Sequence, residues 1–131
     1  MTAARLHEAL AAALAAHPPL AGSVTAVFAS PPVRAAAPYA LVAEAVVADW
    51  STKDAEGFEA RVAVELHDGG EDGARVRALT GAAQAAVAAM PHALGEGWRI
   101  VSRGFVRQRI VRTRGEWVGT VEYRVRVLAG G

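Results

Sequence analysis

The sequence contains no cysteine, few aromatic residues and a single lysine, Lys53. Without cysteine the chain cannot form disulfides, thiolate metal sites or a cysteine nucleophile. Aromatic residues make up 6% of the chain, which gives little support to a surface that binds nucleic acid by base stacking. No long uncharged run of bulky apolar residues occurs either, so we do not expect a transmembrane helix.

Apolar residues nevertheless make up 53% of the 131 positions, which suffices for one hydrophobic core. The chain contains no internal repeat and no linker-like segment, so we expect a single domain over residues 1–131. Near the N-terminus, Leu6, Leu10 and Leu14 fall on one face of a helix, which a His-Pro-Pro sequence ends. Polar residues interrupt this apolar stretch, which favours a helix packed on the core over a signal peptide.

The later segments alternate between strand and helix patterns. Apolar and polar residues alternate with period two over residues 58–66 and 121–127, which predicts two strands with one buried face each. Apolar spacings of three and four predict a second amphipathic helix over residues 74–90. Further strands are expected at residues 23–29, 39–49 and 98–112. The fold class is therefore α+β, an antiparallel or mixed β-sheet with two helices, in the order α-β-β-β-α-β-β.

Residue types that occur in catalytic and metal sites are present without the spacing that such sites need. None of the four histidines lies at metal-ligand spacing, and phosphate-loop, dinucleotide and nucleophile-elbow motifs are absent. Asp68, Glu71 and Asp72 could surround a cation, but a solvated loop that caps the following helix is the better interpretation. We therefore expect no catalytic residue, metal or cofactor, with an enzyme lacking a recognisable motif as an alternative.

Acidic and basic residues are concentrated in two different segments. Residues 44–72 hold nine acidic residues against two basic ones, whereas residues 98–127 hold eight arginines against two acidic residues. Two such segments can pair within one molecule or between copies. On an unbroken strand, the odd-numbered Arg99, Arg103 and Arg107 would share one face with Arg109. Such a stripe could bind phosphates, or a partner's carboxylates through bidentate contacts.

Two short motifs, Ala37-Pro38-Tyr39 and Trp50-Ser51-Thr52-Lys53-Asp54, resemble a known family when taken with the order of the predicted elements. The chain is similar to the small tail completion proteins of siphophage-like particles, in particular to the tail terminators of bacterial gene transfer agents and related prophages. The likeness extends from the N-terminal helix to the arginine-rich hairpin. It is weaker at His67-Asp68, where family members often have a tryptophan-serine pair.

The resemblance implies a structural virion protein and no enzymatic activity. Such proteins form a ring, usually of six copies, at the head-proximal end of the tail tube. The ring ends tube growth, joins the tail to the head-side connector and lets double-stranded DNA pass without sequence-specific binding. For this chain the resemblance implies assembly in the bacterial cytoplasm, a place in a phage-like particle and no membrane partner. The alternatives are another connector, such as a stopper or adaptor, and a small DNA-binding module that uses the hairpin.

Contacts between copies, or with the tube and connector proteins, are expected at the arm 31–38, the loop 50–57 and the arginine hairpin. The arm is too rich in proline for a sheet interior and orders best against a partner. We expect the hairpin to meet carboxylates of segment 44–72 on a neighbouring copy, because many phosphate contacts would hold DNA that must slide. The interface candidates are Pro31, Pro32, Pro38, Tyr39, Trp50, Lys53, Glu59, Glu65, Arg99, Arg103, Arg107, Arg109 and Arg112.

Overall fold

The computed structural model describes residues 2–130, which form three helices and seven strands. The helices are α1 (Thr2–Ala16), α2 (Pro18–Ala21) and α3 (Ala74–Ala88). The strands are β1 (Val27–Phe28), β2 (Tyr39–Val42), β3 (Val46–Asp49), β4 (Gly57–Asp68), β5 (Ala93–Gly95), β6 (Trp98–Thr113) and β7 (Glu116–Ala129). The α+β class and the order of the predicted elements are confirmed, and α2 and β5 are short additions to them.

The strands form one mixed sheet in the order β1-β2-β4-β7-β6-β5, with β3 pairing with β4 beyond the end of β2. β1 and β2 are parallel, and the other strand pairs are antiparallel. β4 and β7 lie at the centre and pair from Gly57, opposite Leu128, to Asp68, opposite Trp117. A two-residue turn at Arg114 and Gly115 joins β6 to β7, and both residues have the positive φ that such a hairpin turn needs.

Alternation along β4 and β7 divides the sheet into a helical face, covered by the helices, and an open face without them. On the helical face, Val62, Val64, Val121 and Val125 are at most 2% exposed. Helix α3 packs on this face through its own buried apolar residues. The period-two patterns therefore predicted correctly which residues of the two central strands enter the core.

Helix α1 buries its leucine face as the periodicity predicts. Leu6, Leu10 and Leu14 are at most 1% exposed and belong to the same core as α3 and the sheet. The helix ends at Ala16, but the prolines that follow begin α2 instead of a loop. Proline is tolerated in the first turn of a helix because the N–H that it lacks would have no intrahelical acceptor there.

Two predicted strands differ in extent from those observed. Segment 23–29 contributes only the two residues of β1, and segment 39–49 is divided into β2 and β3. β2 pairs with residues 64–67 of β4, and β3 pairs with residues 58–61 of β4. The segment is divided because the chain leaves the ladder between these two stretches. A run of valine and alanine has the same composition on both sides of this bend, so the sequence does not reveal it.

The glycine at position 119 of β7 allows α3 to lie close to the sheet. A Cβ atom on Gly119 would lie 2.4 Å from Thr80 Oγ1, a buried hydroxyl that donates to Val76 O at 2.7 Å. We expect Gly119→Ala to lower the free energy of unfolding by about 1–3 kcal/mol, the usual effect of overpacking, as measured by urea denaturation.

Gly81→Ala, on α3, is the matched control for that substitution. A Cβ atom on Gly81 would meet no atom within 4 Å, so this variant should gain about 0.4–1 kcal/mol from the reduced entropy of its unfolded chain. Unchanged stability in Gly119→Ala would contradict the close contact between α3 and β7.

Candidate assembly interface

The proline-rich arm, residues 31–38, projects from the sheet between β1 and β2. Val33 is fully exposed, with a relative accessibility of 102%. Thr25 secures the C-terminal end of the arm: its hydroxyl contacts Ala36 O and Pro38 O, and its N–H donates to Pro38 O at 2.8 Å. Of the predicted interface candidates, the arm contains the exposed Pro31 and the half-buried Pro32 and Pro38.

Tyr39 anchors the end of the arm on the open face. Its ring stacks on His67 with centroids 4.5 Å apart and meets Phe28 edge to face at 5.5 Å. His67 lies between two carboxylates: its Nε2 is 2.8 Å from Glu65 Oε1, and its Nδ1 contacts Glu116. Burial raises the pKa of the Tyr39 hydroxyl, and these two negative charges add to the shift. Glu65, a predicted contact with a neighbouring copy, thus has a partner in its own chain.

The loop that joins β3 to β4 is ordered by its own hydrogen bonds. Ser51 Oγ accepts a hydrogen bond from Gly57 N at 3.0 Å. Trp50 is half-buried below the guanidinium of Arg126, whose Cζ lies 4.9 Å from the ring centroid, a distance typical of a cation–π contact. Lys53 is exposed in the loop, where it is available to a partner.

Two β-bulges interrupt β6 and redistribute its arginines. The register with β7 shifts between Ile100 and Ser102 and again between Phe105 and Arg107. Each extra residue reverses the relation between residue number and sheet face. The prediction that four odd-numbered arginines share one face is therefore wrong. On the open face lie Arg99, Arg107 and Arg109, opposite Leu128, Glu122 and Thr120, whereas Arg103 lies opposite the buried Val125.

Arg103 caps helix α3. Its guanidinium donates to Met90 O at 2.8 Å and to Ala88 O at 3.1 Å. Carbonyls at the C-terminus of a helix lack intrahelical donors, and a positive charge there is favourable. Arg112, an interface candidate outside that group, is paired with Trp117 and lies over the ring of that residue, 5.4 Å from its centroid. Both arginines thus contact groups of their own chain.

Two ion pairs join neighbouring strands on the open face. Arg107 Nε lies 2.9 Å from Glu122 Oε1, and Arg126 Nε lies 2.8 Å from Glu59 Oε2. The hydrogen bond from Arg126 lowers the pKa of Glu59. Glu59, like Glu65, has a partner within its own chain, and a contact of either residue with a neighbouring copy stays a prediction.

Arg61 and Arg124 lie directly opposite each other between these two ion pairs. Both are exposed, and neither forms an ion pair within residues 2–130. Like charges opposite each other on adjacent strands destabilise a sheet. A negatively charged neighbour at this position would relieve the repulsion.

The acidic loop after β4 caps helix α3 through Asp72, as the sequence predicts, whereas Asp68 is the buried last residue of β4 and not part of a solvated loop. Asp68 is fully buried and accepts a hydrogen bond from Arg75 Nε at 2.8 Å, and Asp72 Oδ1 accepts one from Ala74 N at 2.9 Å. Within the described part of the chain, no group of three or more potential ligand side chains is arranged to hold a metal ion. None of the helices between residues 2 and 130 is long and apolar enough to cross a membrane.

Several of these contacts have no signal in the sequence. The capping role of Arg103 depends on a bulge that composition does not reveal, and the anchoring by Thr25 depends on a loop returning to β1. The pairing of Glu59 with Arg126 depends on the register of residues far apart in the chain. Alternation predicts the face on which a residue lies but not its neighbour on the next strand.

The exposed arm and the charged open face are surfaces suited to contacts with other macromolecules. The family model described as Tail completion protein gp17 matches residues 8–128, so the chain belongs to this family of phage tail structural proteins, which are not enzymes. A solved chain described as "Virion of native gene transfer agent (GTA) particle" is similar, with a TM-score of 0.77, 28% identity and 94% of each chain covered. No curated protein matches the sequence significantly. The resemblance identified from the sequence is confirmed.

We expect Glu59→Gln to reduce the loss of stability of the isolated chain in acid. Because the folded-state pKa of Glu59 is lowered, its ion pair stabilises the fold above the ordinary pKa of about 4.3. This stabilisation is lost as the pH falls through the lowered value. Urea denaturation of the variant and the wild type at about pH 3–6 measures the difference.

Glu8→Gln on α1 is the control, because Glu8 is exposed and forms no ion pair within residues 2–130. It should leave the dependence of stability on pH close to that of the wild type. A profile of Glu59→Gln that follows the wild type at every pH would refute the stabilising role of the Glu59–Arg126 pair.

Proposed function

We propose that this protein is a tail terminator, which forms a six-copy ring at the head-proximal end of the tail tube of a phage-like particle. The ring ends tube growth, joins the tail to the head-side connector and lets duplex DNA pass through its lumen. Assembly takes place in the bacterial cytoplasm. The observation that carries this proposal is the similarity, over 94% of both chains, to a chain of a gene transfer agent virion.

The distribution of charge supports a ring. A closed ring needs heterologous contacts, in which one surface of each copy meets a different surface of the next. The acidic segment around β3 and the arginine-rich strand β6 lie at opposite edges of the sheet. Opposite charges at two edges of one subunit favour head-to-tail contacts over contacts between identical surfaces.

The size of the chain supports six copies. A globule of 131 residues has a radius of gyration of about 14 Å and hence a diameter of roughly 36 Å. Six touching spheres of this size leave a hole roughly 36 Å wide, whereas four leave only about 15 Å. Duplex DNA, about 20 Å across, passes through the hole of the six-copy ring but not through that of the four-copy ring.

One observation favours a second candidate, a DNA-binding module. The opposed and exposed Arg61 and Arg124 on the open face would suit a phosphate backbone. This role predicts that the isolated chain binds free duplex DNA with an affinity that falls steeply with salt concentration. A ring that encloses sliding DNA needs no such affinity in its isolated subunit.

We expect particles produced without this protein to have overlong tail tubes of variable length that are not joined to heads. Electron microscopy measures tube length, and wild-type protein supplied from a second gene should restore it. Native mass spectrometry of the assembled protein should detect a complex with six times the 13.6 kDa mass of the chain. Tubes of normal length without heads would instead indicate a stopper or adaptor, and a single copy per tail would contradict the ring.

We expect the arm and the loop 50–57 to become protected from hydrogen exchange when the chain enters the particle. Val33 and Lys53 are exposed in the isolated chain, so amides near them should exchange rapidly there and more slowly, by at least tenfold, after assembly. Amides in β4, whose ladder is complete in the isolated chain, serve as the internal reference. Equal protection of the arm in both states would contradict its role as a contact.

A further inference from the structure

We propose that neighbouring copies join edge to edge, with β3 of one copy adding to the free edge of β6 in the next. The sheet would then continue through main-chain hydrogen bonds across each boundary between subunits. This inference rests on the proposed ring and names the surface through which the ring closes.

The first of the two edges is β6, which has a strand on one side only over most of its length. β5 covers Trp98 and Arg99, and from Ile100 to Thr113 no strand among residues 2–130 lies on the side away from β7. Antiparallel pairing leaves the N–H and C=O groups of every second residue pointing to that side. Beyond the second bulge, residues 107–113 pair with β7 in unbroken register, so a regular edge of this length is open to another strand.

The side chains along β6 suit contact with another chain. Natural proteins protect free edges with charges and bulges, and β6 has both. Yet Val101, Phe105 and Val106 are 36%, 54% and 37% exposed, although polar residues at these positions would protect the edge. A cleft of about 560 Å³ between α3 and β6, lined in part by Gly81 and Phe105, lies beside them and offers further apolar surface.

The second edge is β3, at the opposite side of the sheet. All four of its residues are exposed, and Val46 and Val47 are 74% and 41% accessible. β3 pairs with β4 on one side, and no strand within residues 2–130 lies on its other side. Exposed valines on a strand with one free side are the pattern of an edge that another strand covers.

Charge decides which edges meet. Acidic residues flank β3, whereas the regular part of β6 carries arginine. Two β3 edges, or two β6 edges, would therefore repel each other, and the pairing of β3 with β6 is heterologous, which is the kind of contact that a closed ring needs. Within the described part of the chain, none of four charged residues forms an ion pair: Glu44, Asp54, Glu56 and Arg109. These residues are therefore available for ion pairs between copies.

The width of the sheet also fits a ring around DNA. At the level of β3 the sheet is four strands wide, in the order β3-β4-β7-β6. With strands about 4.8 Å apart, each copy adds about 19 Å, and six copies give a circumference of about 115 Å. The corresponding diameter is at least about 37 Å at the backbone. Because β3 lies level with residues 100–104 of β6, its pairing with residues 107–113 of the next copy requires tilted strands and a wider ring.

The absence of cysteine makes disulfide trapping a direct test. Val46 and Ala48 lie on the open face of β3, opposite Arg61 and Glu59, and Val111 lies on the open face of β6. Residues directly opposite each other in adjacent strands share a face, with Cβ atoms about 4.5–5.5 Å apart, close enough for a disulfide after a small shift. Within one chain, β4 and β7 lie between β3 and β6, so a disulfide between β3 and β6 must join two copies.

The experiment combines Val46→Cys or Ala48→Cys with Val111→Cys or Thr113→Cys, in four double variants assembled into particles. At least one should give, after mild oxidation, a ladder of covalently linked chains that extends to six and collapses on reduction. Val47→Cys with Val111→Cys is the matched control, because Val47 lies on the helical face, opposite Ala60. It should give no ladder.

Native mass spectrometry of each variant separates this inference from the proposed function. If the variants form six-copy assemblies but none of the four gives linked chains after oxidation, the edge-to-edge contact is overturned and the ring remains. A ladder equally strong in the control would show non-specific oxidation and would also count against the contact. Absence of a six-copy assembly in the wild type would overturn the proposed ring itself.

Discussion

The long antiparallel pairing of β4 with β7 is the constraint on which the rest of the structure depends. Because both strands alternate between apolar and polar residues, their register determines at once which side chains enter the core. A slip of β7 by one residue against β4 would move Val121 to the open face and bring Arg124 toward the helices. Helix α3, strand β6 and the two short strands β2 and β3 are all positioned by this central pair.

The parts of the fold that could be predicted from the sequence are those governed by local periodicity. The leucines of α1 and the alternation in β4 and β7 each repeat often enough to identify a buried face. The bulges in β6 and the division between β2 and β3 are different, because they result from pairing with strands distant in the sequence. No local composition marks Val101 or Val106 as an extra residue.

The same distinction applies to the candidate interface. Tyr39 does anchor the arm, as its place after Pro38 indicated, but its stacking on His67 required the register of β2 with β4. Alternation places Glu59 on the open face, but its ion pair with Arg126 could not be predicted, since alternation contains no information about the next strand. The family was recognisable because it depends on the order of elements, which a bulge does not alter.

The central position of β7 has a consequence for synthesis. β7 follows β1–β6 in the chain, yet it lies between β4 and β6 in the sheet. Until the ribosome has released β7, β4 has only short partners and β6 lacks its long one. A nascent or prematurely ended chain therefore cannot form either of the long ladders, and it cannot hold β3 and β6 at opposite edges of one sheet. An unfinished chain therefore lacks the sheet on which the proposed contacts between copies depend.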